Sequence, residues 1–370
     1  MRRLPVYIHQ IEEWPRFEWD RAALAAPLAR IRHRQGRLLG RMEGLGFGLQ
    51  RDAELRTLTT DVVMSSEIEG EHLDLGQVRS SVARRLGLEV AGIEPVDRDV
   101  DGVVEMMLDA TQRFDLPLTE ERLFGWQAAL FPTGRSGLHA IRVGAWRDDA
   151  RGPMQVVSGP IGRERVHFEA PPAAVVSGEM ARFLAWANGD DGTDPVLKAA
   201  IAHLWFVTVH PFDDGNGRIG RAITDWQLAR SEQSAQRFYS LSGQMRAERD
   251  AYYASLEGAQ AGSLDITRWL LWFLECLGRA FDQTEAQLAD VARKARFWER
   301  VPPSSINARQ RVMLNRLLDG FEGKLTTQKW AALAKCSHDT ALRDIQGLIE
   351  HGLLRKDTAG GRSTSYIISE

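Results

Sequence analysis

Apolar residues recur at three- and four-residue spacing over most of the chain, and those stripes predict helices. Arg21–Leu45 and Asp52–Glu69 are rich in Ala, Leu and Arg, and Gly76–Leu86 predicts a shorter third helix. Leu88–Pro95, with Gly92 and Pro95, reads as a connection. Amphipathic runs then follow at Asp99–Phe114, Thr119–Leu130, Ala173–Asn188, Asp194–Val209, Arg218–Ser231, Met245–Gln260 and Asp265–Leu277. Thr119, followed by two glutamates, carries the cap and early acids of a helix start. Gly144–Pro172 breaks the helical period. Val156-Val157 and Val166-His167-Phe168, on either side of Ser158-Gly-Pro-Ile-Gly162, predict a short β-hairpin. Past a Pro302-Pro303-Ser-Ser break come three short helical patterns, Asn307–Asp319, Thr326–Ala334 and Asp339–His351. Leu353–Ile368, with Gly360-Gly361 at its turn, predicts a ribbon. The expected fold is therefore mainly α with a small hairpin, in three regions: a helical leader over 1–95, a helical domain over 96–285 and a module over 303–370. No internal repeat or low-complexity tract interrupts them.

Composition narrows the class. The 370 residues suit two or three domains at roughly 100–200 residues each. With 44% hydrophobic and 26% charged residues, the chain reads as globular with a sizeable core. A net charge of -3 excludes a polycation that coats nucleic acid. Cys276 and Cys336 lie far apart without metal-ligand spacing, which argues against a disulfide framework or a zinc site. No apolar run approaches about 18 residues, so no membrane partner is expected. The basic N-terminus lacks an apolar segment behind it, and the expected location is the cytoplasm.

Chemistry concentrates in His210-Pro-Phe-Asp-Asp-Gly-Asn-Gly-Arg-Ile-Gly-Arg221. The apolar run Ile201–Val209 predicts a buried helix that delivers His210 to its end. A new helical period begins at Arg218, so Gly215-Asn216-Gly217 falls at a helix N-terminus. Unpaired N–H groups and the positive dipole end make that place an anion site. Glycines there allow close approach of a phosphate. Arg218 and Arg221, three residues apart, share a side, and their forks suit phosphate oxygens. Asp213 and Asp214 stand beside the nest, where magnesium bound by a carboxylate and by phosphates explains an acid economically. His210, near pKa 6.5 when unperturbed, can take a hydroxyl proton. A single His at a helix end is usually a core residue and an Asp-Asp pair a solvated turn; the combined spacing carries the reading.

Residue by residue, the segment resembles the signature of the Fic family, H-x-F-x-[D/E]-G-N-G-R-x-x-R, with every specified position filled. The likeness reaches over roughly 100–285. It implies ATP and Mg2+ as cofactors, His210 as general base, Phe212 as the loop's anchor and Asp214 as the metal ligand. It implies an anion hole from Gly215, Asn216 and Gly217, with Arg218 on the β-phosphate and Arg221 on the γ-phosphate. The hairpin resembles the family's flap, which pairs with the backbone of a target protein. Tyr252 and Tyr253 fall where relatives frame the adenine; core packing is the competing reading. His203 lies on the buried helix and reads as structural.

Upstream, Ser65-Ser-Glu-Ile-Glu69-Gly70 resembles the family's inhibitory motif, [S/T]-x-x-x-E-[G/N], matching at Ser65, Glu69 and Gly70. A glutamate presented to Arg221 would occupy the γ-phosphate subsite, and Gly70 fits as a helix terminator. The aromatic leader around Tyr7, Trp14, Phe17 and Trp19 reads as packing that docks it on the core, with a ligand site as the competing reading.

The third region resembles a winged helix-turn-helix. Its second helix would enter a major groove and its ribbon would touch backbone. Candidate DNA contacts are His338, Thr340, Arg343, Arg355, Lys356 and Arg362. Ten Lys/Arg against seven Asp/Glu over 303–370 is a small excess for DNA binding, and docking or homodimer formation competes. The functional expectation is a protein adenylyltransferase that moves AMP from ATP to a Ser, Thr or Tyr hydroxyl of a protein, restrained by Glu69. Two alternatives stay open, removal of AMP by the same site and a nucleotide-sensing DNA-binding regulator.

Overall fold

The computed structural model describes residues 7–44, 46–88, 94–150, 152–159, 163, 165–302, 305–318, 321, 323–357 and 364–369. The chain divides into two compact units, Met1–Thr284 and Glu285–Glu370.

The first unit opens with a 3-10 turn at Ile8–Gln10, then α1 (Arg21–Glu43), α2 (Phe47–Ile68) and α3 (Leu75–Arg85). Asp20 caps α1 by accepting from the backbone N–H groups of Ala22 and Ala23, and Asp74 caps α3 at Gln77. α4 (Arg98–Gln112) and α5 (Glu120–Leu130) follow, the latter capped by Thr119 as its sequence predicts. A small ribbon, β1 (Arg135–Ser136) with β2 (His139–Ala140), was not anticipated. The expected hairpin forms from β3 (Gln155–Ser158) and β4 (Arg165–Glu169), antiparallel, with a register shift at Val156/Val157. Of its turn, residues 160–162 lie outside the described residues.

α6 (Ala173–Asn188) leads to α7 (Pro195–Val209), in which every residue from Val196 to Val209 is buried. A helix apolar all round belongs at the centre of a core. α6, α8 (Asn216–Glu232) and α10 (Arg249–Gln260) pack against it. The run Met245–Gln260 is not one helix: α9 (Leu241–Ala247) and α10 meet at Glu248, whose backbone leaves the helix at φ −113°, ψ 33°. The Glu248 carboxylate accepts from Arg279 at 2.5 Å, a tertiary contact that overrides glutamate's helix propensity. α11 (Thr267–Glu299) runs far past Leu277, where the sequence reading ended it. Leu277, Ala280, Phe281 and Thr284 continue one buried stripe at helical spacing.

The leader is docked by its aromatics. Tyr7 packs edge-on against Phe168 of β4 at 5.0 Å, and Trp14 and Phe17 both meet Trp205 of α7. The Trp14 indole N–H donates to Glu179 at 2.9 Å.

The second unit holds the end of α11, then α12 (Ala308–Leu318), α13 (Thr327–Leu333), α14 (His338–Glu350) and a ribbon of β5 (Leu354–Lys356) with β6 (Tyr366–Ile368). Trp330, Leu314, Ile345 and Leu348 form its core together with Phe297 and Val301 from the segment before it. Arg309 on α12 and Asp344 on α14 are joined at 2.6 Å. Gly360-Gly361 lies outside the described residues. No helix among the described residues is long and apolar enough to cross a membrane.

Candidate active site

α7 ends at His210, in the left-handed region at φ 51°, ψ 58°. Pro211 disfavours the α conformation at the residue before it. A non-glycine residue in the left-handed region costs about 1–2 kcal/mol, a strain that the surroundings must hold. Three contacts hold it. The Asn216 side chain accepts from the Phe212 N–H at 3.0 Å and donates to the Phe212 carbonyl at 2.8 Å, closing the loop on itself. Phe212 is fully buried, with Trp146 at 5.1 Å and Phe124 at 6.2 Å, and burial of such a ring contributes about 1.5–3 kcal/mol. Arg147, also buried, donates to the His210 carbonyl at 2.8 Å and to the Pro171 carbonyl, while its own N–H donates to the Pro211 carbonyl at 2.9 Å. No spacing announces Arg147, which sits in an aperiodic loop far from the motif.

The His210 Nδ1 faces the Val207 carbonyl at 3.2 Å. That acceptor places the proton on Nδ1 and leaves Nε2 with the lone pair a base needs. Burial pushes the ring's pKa down to about 4; the Val207 carbonyl opposes this and the Arg147 charge adds to it. The imidazole is therefore neutral at physiological pH.

Gly215, at φ 88°, opens α8 in a conformation that suits glycine. A Cβ on Gly217 would lie 2.0 Å from Glu69 Oε1 and 3.2 Å from Arg221 Nη1, so a carboxylate already sits against the helix N-terminus. Nη1 of Arg221 is buried without a hydrogen-bond partner among the described residues. A guanidinium nitrogen without a partner among the described residues, at a helix N-terminus, is chemistry that suits an anion such as phosphate. The Asn216 side chain closes the loop, so any part it takes in an anion hole would fall to its backbone. Asp213 accepts from the Arg142 N–H at 2.8 Å. Asp214 accepts from the Gly215 N–H at 2.5 Å and from the Ser136 hydroxyl. A partly exposed carboxylate held beside the nest fits one protein ligand of a magnesium ion shared with phosphates.

The two arginines are tied by the end of α2. Arg221 donates from Nε to the Ser65 hydroxyl at 2.9 Å and from Nη2 to the Ser65 carbonyl at 2.7 Å, and Nη2 pairs with Glu69 at 2.8 Å. Burial disfavours the Arg221 charge, and Glu69 together with Tyr252 and Tyr253 more than restores it. Gly70, at φ 83°, ends α2. The Glu71 N–H donates to the Ser66 carbonyl and the Gly70 N–H to the Glu67 carbonyl, both at 3.1 Å, the paired bonds of a Schellman turn. That turn sends Glu71 to Arg218, at 2.5 Å. Burial raises the pKa of Glu71 against the pull of Arg218, and Asp214 and Glu69 raise it further. Glu71 escaped the sequence reading because the motif stops at Gly70.

Glu69, His210 and Gly217 share a cavity of about 600 Å³ with Tyr252, Tyr253 and the hairpin. Tyr252 is buried, its hydroxyl 2.8 Å from His203 Nε2. Tyr253 is less buried and lies under Arg249, whose Nε donates to the Ile68 carbonyl at 3.0 Å. In the second unit, His338, Arg343, Arg355 and Lys356 are exposed. Thr340 is half-buried, its hydroxyl 2.8 Å from that of Ser337 at the start of α14, and Arg362 lies outside the described residues.

Residues 117–228 match the Fic/DOC family, and residues 7–88 match a domain of unknown function, DUF4172. A protein adenylyltransferase Fic from Culex quinquefasciatus is 28% identical over 251 residues, 66% of this chain and 45% of that protein. A uridine 5'-monophosphate transferase from Xanthomonas campestris pv. campestris is 30% identical over 123 residues, 31% of this chain and 21% of that protein. The chain spans less than half the length of these curated relatives. A Fic family protein from Desulfovibrio desulfuricans G20 shares the fold, with a TM-score of 0.54 at 22% identity over 95% of this chain and 97% of that one. The likeness extends beyond the motif to the helices around it, and the chain carries a Fic/DOC family domain.

Proposed function

We propose that the chain is a protein adenylyltransferase held in check by its own α2. The observation that carries this reading is the joining of one cavity, one neutral histidine and one acid-blocked arginine: His210 and Glu69 line the same space, and Glu69 is bound to Arg221. ATP would place its phosphates on the N-terminus of α8, with Arg218 and Arg221 on the β- and γ-phosphates. Asp214 would hold Mg2+, which neutralises phosphate charge when bound. His210 Nε2 takes the proton of a Ser, Thr or Tyr hydroxyl on the target. That oxygen bonds to the α-phosphorus, the bond to the β-phosphate oxygen breaks, and pyrophosphate leaves. The β3–β4 hairpin offers free strand edges to the target's backbone.

Glu69→Gly is the test. Transfer of label from ATP to protein should rise above wild type, mainly through orientation of the phosphates. Glu69→Gly with Arg221→Ala should lose the gain. Wild-type activity in the single variant, or a gain that survives the loss of Arg221, overturns the reading. Parallel assays with UTP decide the nucleotide, a choice prompted by the uridylyl-transferring relative. Gained transfer together with lost removal of AMP would show Glu69 choosing between the two directions.

For the second unit we infer a winged-helix module that meets duplex DNA through His338, Arg343, Arg355 and Lys356. Supporting this, these side chains are exposed while the apolar face of α14 is buried. A fluorescent duplex should bind the full chain, with an affinity that falls steeply with salt; salt-independent or absent binding rejects the inference.

A further inference from the structure

The register of the β3–β4 hairpin singles out His167. Val156 pairs with Phe168 and Val157 with Val166, so His167 is the extra residue of a bulge in β4. A bulge takes a side chain out of the regular alternation and aims it anew. Here it sets the ring between two polar groups. His167 Nε2 lies 2.6 Å from the hydroxyl of Ser158, the last residue of β3, and Nδ1 lies 3.3 Å from Glu257 Oε2 on α10. Glu257 is held in turn by Arg165, whose Nη2 reaches Oε1 at 3.2 Å. A carboxylate beside Nδ1 keeps the ring proton there and leaves Nε2 to accept from Ser158. A hydroxyl, an imidazole and a carboxylate in series form the arrangement that activates a serine oxygen.

The position of this series matters as much as its order. Ser158, His167 and Glu257 line the same cavity as His210, Glu69 and Gly217. A hydroxyl carried on the same chain needs no encounter with the nucleotide site, because the hairpin keeps it at a high effective concentration there.

We propose that Ser158 is itself an acceptor of the nucleotidyl group, with His167 as its base and Glu257 orienting the ring. This rests on the reading of the cavity as the site of ATP. Ser158 Oγ bonds to the α-phosphorus, the bond from that phosphorus to the oxygen bridging to the β-phosphate breaks, and pyrophosphate leaves. The hydroxyl proton passes to His167 Nε2, and the Glu257 carboxylate balances the imidazolium. The product is a phosphodiester that joins AMP to the hairpin. Its distinguishing consequence is a self-modification that does not draw on His210.

Mass spectrometry of the full chain carrying Glu69→Gly, incubated with Mg-ATP and digested with trypsin, tests it. Cleavage after Arg151 and Arg163 releases residues 152–163, in which Ser158 is the one hydroxyl side chain. Added AMP on that peptide therefore reports Ser158 directly. The adduct should appear there at a rate that does not fall on dilution of the protein, should persist when His210→Ala is added, and should vanish with Ser158→Ala. His167→Gln, which keeps a polar group but removes the base, should slow it by about 10²–10⁴. An unmodified peptide, while other proteins of a lysate gain AMP, overturns this proposal and leaves the adenylyltransferase reading standing. No AMP on any protein overturns both. An adduct that forms at full rate with His167→Gln, or that is lost with His210→Ala, overturns the assignment of His167 as the base.

Discussion

His210 is an imidazole that its surroundings keep neutral. With a pKa of about 4 against an ordinary 6.5, the folded protein resists protonating a ring that the unfolded chain protonates readily. Its contribution to stability is present above pH 6.5 and is lost as pH falls from 6.5 through 4. For activity, kcat/KM of the Glu69→Gly protein should stay flat from pH 8 to about 5, with an acid limb near 4. A limb centred on 6.5 would mean a solvated ring. His210→Ala should lower transfer by about 10²–10⁴ while ATP affinity, read by calorimetry, stays within twofold; undiminished transfer would remove His210 from the chemistry. The residues that write this site were legible where spacing encodes geometry: His210 at a helix end, glycines at the next helix start, arginines three apart. Arg147 and Glu71 were not. Each reaches the site from a distant segment with no period to announce it.

In the restraint proposed above, the turn at Gly70 is the element that places both acids. It sets Glu69 on Arg221 and Glu71 on Arg218, so both cradle arginines are occupied by one corner of the backbone. The Glu71 pair is partly exposed, and such pairs contribute about 0.2–1 kcal/mol. Glu71→Gln alone should therefore raise AMP transfer by no more than about fivefold, and should add to the effect of Glu69→Gly. A Glu71→Gln gain equal to that of Glu69→Gly would reverse the ranking of the two acids. Gly70→Ala should destabilise the fold by about 1 kcal/mol, because a Cβ is disfavoured at positive φ. It should also raise transfer, since both acids lose their placement; thermal unfolding and the labelled-ATP assay read the two effects. Among elements, those with a long clean stripe, such as α6 and α7, matched their patterns closely. The break at Glu248 and the length of α11 did not, because one comes from a contact with Arg279 and the other from a stripe that continues past Gly278.

At the scale of the whole chain, the Pro302-Pro303 break suggested a boundary, whereas the second compact unit begins at Glu285 and draws Phe297 and Val301 into its core. A chain ended at Thr284 should fold and bind ATP within about twofold of the full chain, since Met1–Thr284 is a compact unit by itself; an insoluble product or lost binding would count against that independence. The same connectivity bears on the acids of the Gly70 turn. A carboxylate carried on the polypeptide it inhibits is a ligand that never diffuses away, and tethered groups act at effective concentrations on the order of mM. Under the proposed restraint, dilution would leave such a competitor where it is, and nucleotide well below that level would meet an occupied cradle. The amount of enzyme would then have no bearing on how much of the cradle is blocked.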